Sequence, residues 1–189
     1  MNIGTRTVVV IAALVALSGT AVRAEEPSWS YLEAGYLNVD PDALSGSGDN
    51  WFAGGSFEFL QHLHVLARYL DGDYAAGVDQ SYWKVGVGWH GLLGEKVDAV
   101  GELHWVDTEV ANVGDDGYQL TGGVRWRMVK FIELDGFFNY TDLDASGSQE
   151  SLEGRILFDI WRLSFGAAYE TSDDYDQYNA FVRFNFDRK

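Results

Sequence analysis

The chain contains no cysteine and only two prolines, and its basic residues are few. Without cysteine, the protein has no disulfide bridges and no thiolate chemistry. The scarcity of proline suits a chain made of strands, because proline has no amide hydrogen to donate to a neighbouring strand. Beyond residue 24 there is no continuous apolar run of the roughly 20 residues that a transmembrane helix requires. The fold classes that remain are a secreted β-domain and a β-barrel.

Residues 1–24 are predicted to be a secretory signal peptide that is removed after Ala24. Arg6 supplies the basic start, residues 8–17 form the apolar segment, and residues 21–24 place alanines at the expected cleavage positions. The alternative is a retained membrane anchor, which is disfavoured because residues 8–17 are too few to cross a bilayer. Residues 25–189 are predicted to form one domain.

Negative charge dominates the chain. The full sequence has 13 Lys and Arg residues against 29 Asp and Glu residues, a formal net charge of −16. Removing Arg6 and Arg23 with the signal peptide leaves 11 basic against 29 acidic residues, or −18. Phosphate contacts require Lys and Arg, so a nucleic-acid partner is disfavoured. Divalent cations and other cationic partners are compatible with this charge.

Strict alternation of side chains is clearest at residues 82–90. Successive side chains on a strand point to opposite faces. One face is wholly apolar with a tryptophan at each end, and the other is polar or small: Trp83, Val85, Val87 and Trp89 against Tyr82, Lys84, Gly86, Gly88 and His90. An apolar band bracketed by aromatic residues is typical of a transmembrane β-strand.

The same alternation recurs in ten segments, which predicts an all-β fold: an antiparallel up-and-down transmembrane β-barrel. Ten strands is the leading prediction, and eight remain an alternative because the eighth and ninth segments are the weakest. The segments are Trp29–Asn38, Trp51–Leu60, Leu63–Asp71, Tyr82–His90, Val97–Trp105, Tyr118–Met128, Phe131–Thr141, Leu152–Ile160, Leu163–Thr171 and Tyr178–Phe186.

Aromatic residues at the ends of the apolar faces are predicted to lie at the two membrane interfaces. In three segments the outward aromatics are eight residues apart, which is roughly 26 Å along a strand and roughly 20 Å across the membrane after tilting. A soluble β-sandwich has no reason to repeat this spacing. The predicted interface residues are Trp51, Phe59, Tyr69, Trp83, Trp89, Trp105, Tyr118, Trp126, Tyr140, Tyr169, Tyr178 and Phe186.

The connections between segments also alternate. Those after the odd segments are longer and acidic, such as 108–117 and 142–151, and those after the even segments are short, such as 61–62 and 161–162. Long outer loops and short periplasmic turns are typical of outer-membrane barrels. With an even number of strands, both chain ends are predicted to lie on the periplasmic side.

The segments at 31–36, 82–89 and 116–124 and the aromatic last strand resemble the strands of small outer-membrane β-barrel proteins of Gram-negative bacteria, of the OmpA and OmpX type. The resemblance implies an integral outer-membrane protein in contact with outer-membrane lipid and lipopolysaccharide. It also implies recognition of the last strand by the barrel-assembly machinery. That strand usually ends at a terminal aromatic residue, whereas here Phe186 is followed by Asp187, Arg188 and Lys189.

The inward face carries charges of both signs. Unpaired buried charges cost several kcal/mol, so these are predicted to pair and close the lumen. The alternative is a narrow ion or solute path lined by the same charges. The acids are Glu33, Glu58, Asp98, Glu102, Glu133, Asp135, Glu153, Asp159 and Glu170, and the bases are Arg68, Lys84, Arg125, Arg127, Arg155 and Arg183.

Glu102 and His104 share the inward face, and we expect them near the outer end of the fifth strand. A carboxylate beside a histidine is able to perform acid–base chemistry, but a structural hydrogen bond inside the lumen is the favoured interpretation. His62, His64 and His90 share no metal-ligand spacing on one strand. We therefore expect no metal, no cofactor and no enzymatic activity.

The acidic outer connections carry most of the remaining carboxylates. Divalent cations are able to bind them weakly or bridge them to lipopolysaccharide phosphates, although a solvated acidic rim is the favoured interpretation. The leading functional prediction is a structural or surface-interaction barrel with a charge-plugged lumen. A narrow cation-preferring pore is the second prediction, and a barrel enzyme acting on lipid or peptide is the third.

Overall fold

The computed structural model describes residues 27–43, 45–75 and 77–186, which form ten β-strands. Within these residues, no helix is long and apolar enough to cross a membrane. The predicted signal peptide and residues 187–189 lie outside them. The strands are β1 (Tyr31–Pro41), β2 (Gly48–Leu60), β3 (Leu63–Ala75), β4 (Val78–Leu92), β5 (Val97–Val110), β6 (Val113–Val129), β7 (Ile132–Leu143), β8 (Gly147–Ile160), β9 (Leu163–Ser172) and β10 (Tyr175–Asn185).

The ten strands close into an antiparallel barrel in which each strand pairs with its neighbours in sequence. Closure comes from β1, where Tyr31 lies opposite Ser56 of β2 and Asn185 of β10. The predicted up-and-down barrel of ten strands is confirmed, and the eight-stranded alternative is wrong. The weakly predicted eighth segment is a complete strand that begins earlier than predicted, at Gly147. Closure leaves no edge strand, so the backbone amide and carbonyl groups that an open sheet would expose at its edges are paired.

The prediction of long outer loops is wrong. The connection after β5 is only Ala111 and Asn112, and Val110 pairs directly with Val113. Both turn residues have positive φ, of 52° and 64°, which is the geometry of a type I′ hairpin and matches the twist of the flanking strands. The acidic segments are therefore extensions of the strands. Below, "loop end" denotes this end of the barrel, and "terminal end" denotes the end where β1 begins and β10 finishes.

The outer surface is an apolar band between two aromatic rings. At the loop end the rings of Tyr69 and Trp83 lie 4.4 Å apart, and those of Tyr169 and Tyr178 lie 4.9 Å apart. The predicted interface residues face outward and are exposed or half-exposed, except Trp126, of which only 8% is exposed. Nothing in the described residues explains this burial. A closed barrel with such an exterior is the architecture of an outer-membrane protein.

Large inward side chains lie over inward glycines of the neighbouring strand. A Cβ atom at Gly166 would lie 2.2 Å from Cζ of Phe181, and one at Gly123 would lie 2.5 Å from Cδ1 of Phe137. These glycines leave the space that the rings fill, so the narrow interior accommodates aromatic residues. The same arrangement holds for Phe52 over Gly35 and for His64 over Gly88.

Replacing Gly166 with alanine is expected to lower the free energy of unfolding by about 1–3 kcal/mol, because the added methyl group displaces the ring of Phe181. Urea unfolding of the barrel in detergent micelles measures this change. Gly154 of β8 is the matched control, since a Cβ there meets nothing within 4 Å. Equal stabilities of the G166A and G154A variants would contradict the expectation.

Candidate functional site

The terminal-end half of the lumen contains a network of buried ion pairs centred on Glu133. This carboxylate is fully buried and accepts hydrogen bonds from both Arg125 and Arg127. Arg127 also bonds to Asp159, and Arg125 lies 3.8 Å from the carboxylate of Asp135. One carboxylate thus holds two guanidinium groups that are adjacent on the inner face of β6. The predicted pairing of lumen charges holds for these residues.

Two further ion pairs continue the network along the wall. Arg183 of β10 donates two hydrogen bonds to one oxygen of Glu33 on β1, at 3.0 and 2.8 Å. The guanidinium of Arg183 also stacks on the ring of Tyr31, 4.0 Å from its centroid. Arg155 binds both oxygens of Glu153, two residues earlier on the same strand, at 2.8 Å. Two-bond contacts of this kind orient the side chains as well as neutralise them.

Trp29 does not begin the first strand, as the sequence predicted, but precedes it and lies inside the terminal end of the lumen. Its ring stacks on His90 at 4.0 Å with the planes nearly parallel, and Arg125 covers it at 4.4 Å. The indole nitrogen donates to Asp98 at 3.1 Å, and Arg125 donates to the backbone carbonyl of Ser28 at 2.9 Å. Ser28 and Trp29, just before β1, therefore occupy this mouth of the barrel.

Histidine residues of three strands form a cluster that no sequence pattern predicted, and two of them, His64 and His90, stack on Trp29. Glu102 binds His64 through one oxygen and His104 through the other, both at 3.1 Å. The Nδ1 atoms of His64 and His90 lie 3.4 Å apart, and His90 lies 3.4 Å from Glu58. Antiparallel pairing of β3 with β4 and of β4 with β5 produces this cluster.

The predicted pair Glu102 and His104 lies within the barrel wall and not near the outer end of β5, because that strand continues to Val110. His104 is almost fully buried against Glu102, and no serine hydroxyl is hydrogen-bonded to it in the described residues. A buried histidine paired with a carboxylate has the environment of a structural hydrogen bond. Among the described residues, no group of three or more ligating side chains has metal-binding geometry.

A buried apolar layer also lies in the lumen, although the sequence predicted an inward face that is polar or small. The layer runs from Leu157 on β8 to Leu70 on β3, and its members are almost without solvent exposure. Tyr82 packs against it and donates to Gln119 of β6 at 3.3 Å, which connects it to the opposite wall. The layer consists of Leu37, Val39, Phe52, Leu70, Leu157, Ala168 and Phe181. Alternation assigned these residues to the inward face, but only closure made them neighbours.

A cavity of about 50 Å³ lies between Trp29 and the apolar layer, large enough for a few water molecules. Arg68 and Lys84 line it from β3 and β4, where they lie directly opposite each other. Among the described residues, neither makes an ion pair within 4 Å, so the predicted pairing of all lumen charges is wrong for these two. Arg68 stacks instead on the ring of Phe52, 3.9 Å from its centroid.

The loop end is strongly acidic. Glu170, inside the lumen, accepts hydrogen bonds from Ser151 at 2.5 Å and Tyr175 at 3.1 Å. Further out, hydrogen bonds from the Ser146 hydroxyl and the Ala145 amide lower the pKa of the Asp115 carboxyl and join two hairpins. The other carboxylates form what we call the acidic collar: Asp40, Asp42, Asp49, Asp71, Asp73, Asp79, Glu109, Asp116, Asp142, Asp144, Glu150, Asp173, Asp174 and Asp176.

Solved outer-membrane proteins are similar to this chain only at low sequence identity and with TM-scores below 0.5. An outer-membrane channel from Pseudomonas putida F1 is 11% identical, with 89% of this chain and 99% of that chain aligned and a TM-score of 0.49. OprG from Pseudomonas aeruginosa is 10% identical, with coverages of 88% and 100% and a TM-score of 0.46. The KdgM porin in complex with disordered oligogalacturonate is 9% identical, with coverages of 83% and 99% and a TM-score of 0.48.

No protein-family model and no curated protein matches the sequence. At such low identities the likeness to solved structures concerns the fold alone. The closed ten-stranded barrel and its apolar exterior confirm, at that level, the predicted resemblance to small outer-membrane β-barrels.

Proposed function

We propose that this protein is a closed outer-membrane barrel with a structural or surface-interaction role, and that its lumen does not conduct ions. The observation that carries the proposal is the double obstruction of the lumen. Trp29 and its partners fill the terminal end, and the apolar layer fills the interior beyond the cavity. Hydrated ions would have to displace both sets of side chains to cross the barrel.

The proposed surroundings follow from the distribution of charge. The aromatic rings and apolar band suit lipid, and the acidic collar lies just outside the ring at the loop end. In the proposed orientation the loop end faces the cell exterior and meets lipopolysaccharide, with divalent cations bridging the collar to its phosphates. The terminal end faces the periplasm, and β10 is the strand that the barrel-assembly machinery would recognise.

A non-enzymatic role is part of the proposal. The pair of His104 and Glu102 is supported as a structural contact by the burial of His104 and by the second bond from Glu102 to His64. A general base must reach a substrate proton, and a histidine enclosed in the barrel wall does not.

Conductance of the refolded chain 25–189 in a planar lipid bilayer tests the proposal. We expect no discrete openings from protein whose folding is verified by its heat-modifiable migration on gels. A double variant, Phe52→Ala with Phe181→Ala, removes the largest rings of the apolar layer and is expected to conduct if it folds. Discrete, salt-dependent openings of the unmodified chain would overturn the proposal.

A narrow cation-preferring pore is the second candidate, and the acidic collar is the observation that favours it. A ring of carboxylates raises the local concentration of cations at the mouth of a channel. Arg68 and Lys84 oppose it, because two unpaired cationic side chains lie on the path that a cation would follow. Reversal potentials in a salt gradient would identify cation preference in any conducting preparation.

A further inference from the structure

We propose that the cavity between Arg68 and Lys84 binds one small monovalent anion, a halide or a short carboxylate. The two residues lie opposite each other on β3 and β4, with Cα atoms roughly 5 Å apart, as cross-strand partners are. Both side chains line the same cavity. The inference concerns a site within the lumen and does not depend on whether the barrel conducts.

The charge pairing of the lumen sets these two residues apart. The other inward arginines of the described chain, Arg125, Arg127, Arg155 and Arg183, each contact at least one carboxylate. Arg68 and Lys84 contact none within 4 Å, and the Nη2 atom of Arg68 is buried without a hydrogen-bond partner. A half-buried cationic group without a carboxylate partner carries a desolvation cost, which a bound anion would reduce.

No carboxylate of the described residues lies within 4 Å of the side-chain nitrogens of Arg68 or Lys84. Glu33 is held by Arg183, Glu153 by Arg155, and Glu102 by two histidines. Asp135 lies on the cavity wall nearest Arg125, at 3.8 Å from its Nε atom. Glu33, Glu102 and Glu153 are thus bound to partners other than Arg68 or Lys84, whereas both carboxylate oxygens of Asp135 are buried without a hydrogen-bond partner. The two cations face the cavity as an adjacent pair of donors.

The dimensions of the cavity define the ligand class. About 50 Å³ accommodates an ion the size of a few water molecules. The Arg68 guanidinium is held in place by its stacking on Phe52, which leaves its N–H edge available to donate. Lys84 provides a second, mobile donor. A monovalent anion bound between Arg68 and Lys84 would neutralise one of the two positive charges and reduce the repulsion between the two side chains.

The experiment compares urea unfolding of the refolded barrel in sodium chloride, sodium formate and sodium gluconate at equal concentrations. Gluconate matches the ionic strength but is too large for the cavity. Chloride or formate at about a hundred times its dissociation constant is expected to reduce the unfolding equilibrium constant about a hundredfold relative to gluconate. The chloride and formate arms distinguish a halide site from a carboxylate site. Identical unfolding in all three salts would overturn the proposal.

Variants test whether a difference in stability between chloride and gluconate arises from Arg68 and Lys84. In a barrel carrying both Arg68→Met and Lys84→Met, the difference between chloride and gluconate is expected to disappear. Lys130→Met is the control, since Lys130 lies exposed in a turn at the terminal end and its loss leaves the difference unchanged. If the double variant does not fold, bromide diffusion into crystals of the unmodified protein decides the matter. An anomalous peak between Arg68 and Lys84 supports the site, and an empty cavity refutes it.

Discussion

The Glu133→Gln variant is expected to lose about 3–5 kcal/mol of unfolding free energy, the usual cost of breaking a buried ion pair by removing one partner. Glu133 is fully buried and accepts hydrogen bonds from Arg125 and Arg127. A third guanidinium, that of Arg183, approaches to 3.9 Å. The variant leaves these cations without their shared negative charge in an interior that water barely reaches. Urea unfolding in micelles measures the loss.

Glu150→Gln is the matched control for this variant. Glu150 lies in the acidic collar on β8 and is exposed, so the same chemical change there is expected to alter stability by less than about 0.5 kcal/mol. If the E133Q and E150Q barrels unfold at the same urea concentration, the Glu133 network contributes nothing to stability, and the prediction fails.

The Trp29→Ala variant is expected to lose about 3–5 kcal/mol, as is usual when a buried aromatic side chain is truncated to alanine. The substitution removes the stacking on His90, the contact with the Arg125 guanidinium and the hydrogen bond to Asp98. Cation–π and stacking contacts contribute beyond the buried area, because the ring face attracts a positive charge. Thermal unfolding and urea unfolding are both suitable measurements.

Two further variants separate a specific role of Trp29 from a general effect of tryptophan loss. Trp161→Ala removes an exposed tryptophan from the turn between β8 and β9 and is expected to have little effect. Trp29→Phe keeps an aromatic face for His90 and Arg125 but has no nitrogen to donate to Asp98, so its stability is expected to lie between the other two. A Trp29→Ala barrel as stable as the Trp161→Ala barrel would show that the N-terminal segment does not hold the mouth closed.

The strands and their two faces were readable from the sequence. Alternation with a period of two residues is a local property, so it can be recognised in a segment without knowing which strands pair with it. It assigned residues such as Glu33, Glu133 and Arg183 to the inward face, where the structure has them. The eight-residue spacing of the outward aromatic residues could likewise be recognised within a single segment.

The partners of the inward residues were not readable. Arg183 and Glu33 are 150 positions apart in sequence and meet only because β1 pairs with β10. The histidine cluster and the apolar layer arise in the same way, from side chains of several strands whose registers are set by the turns. One error also has a local cause. The acidic residues and glycines near 108–117 suggested a loop, but a two-residue type I′ turn let the strands continue.

The sequence by itself determined an antiparallel membrane barrel with a charged interior, an aromatic exterior and an acidic end, because alternation and composition act within each strand. Only the tertiary structure decided which charges pair, that Trp29 turns into the lumen, and that Arg68 and Lys84 are left facing a cavity. The physical reason is that a closed barrel turns one face of every strand toward a common narrow space. Which side chains meet there depends on register and shear, which no single strand encodes.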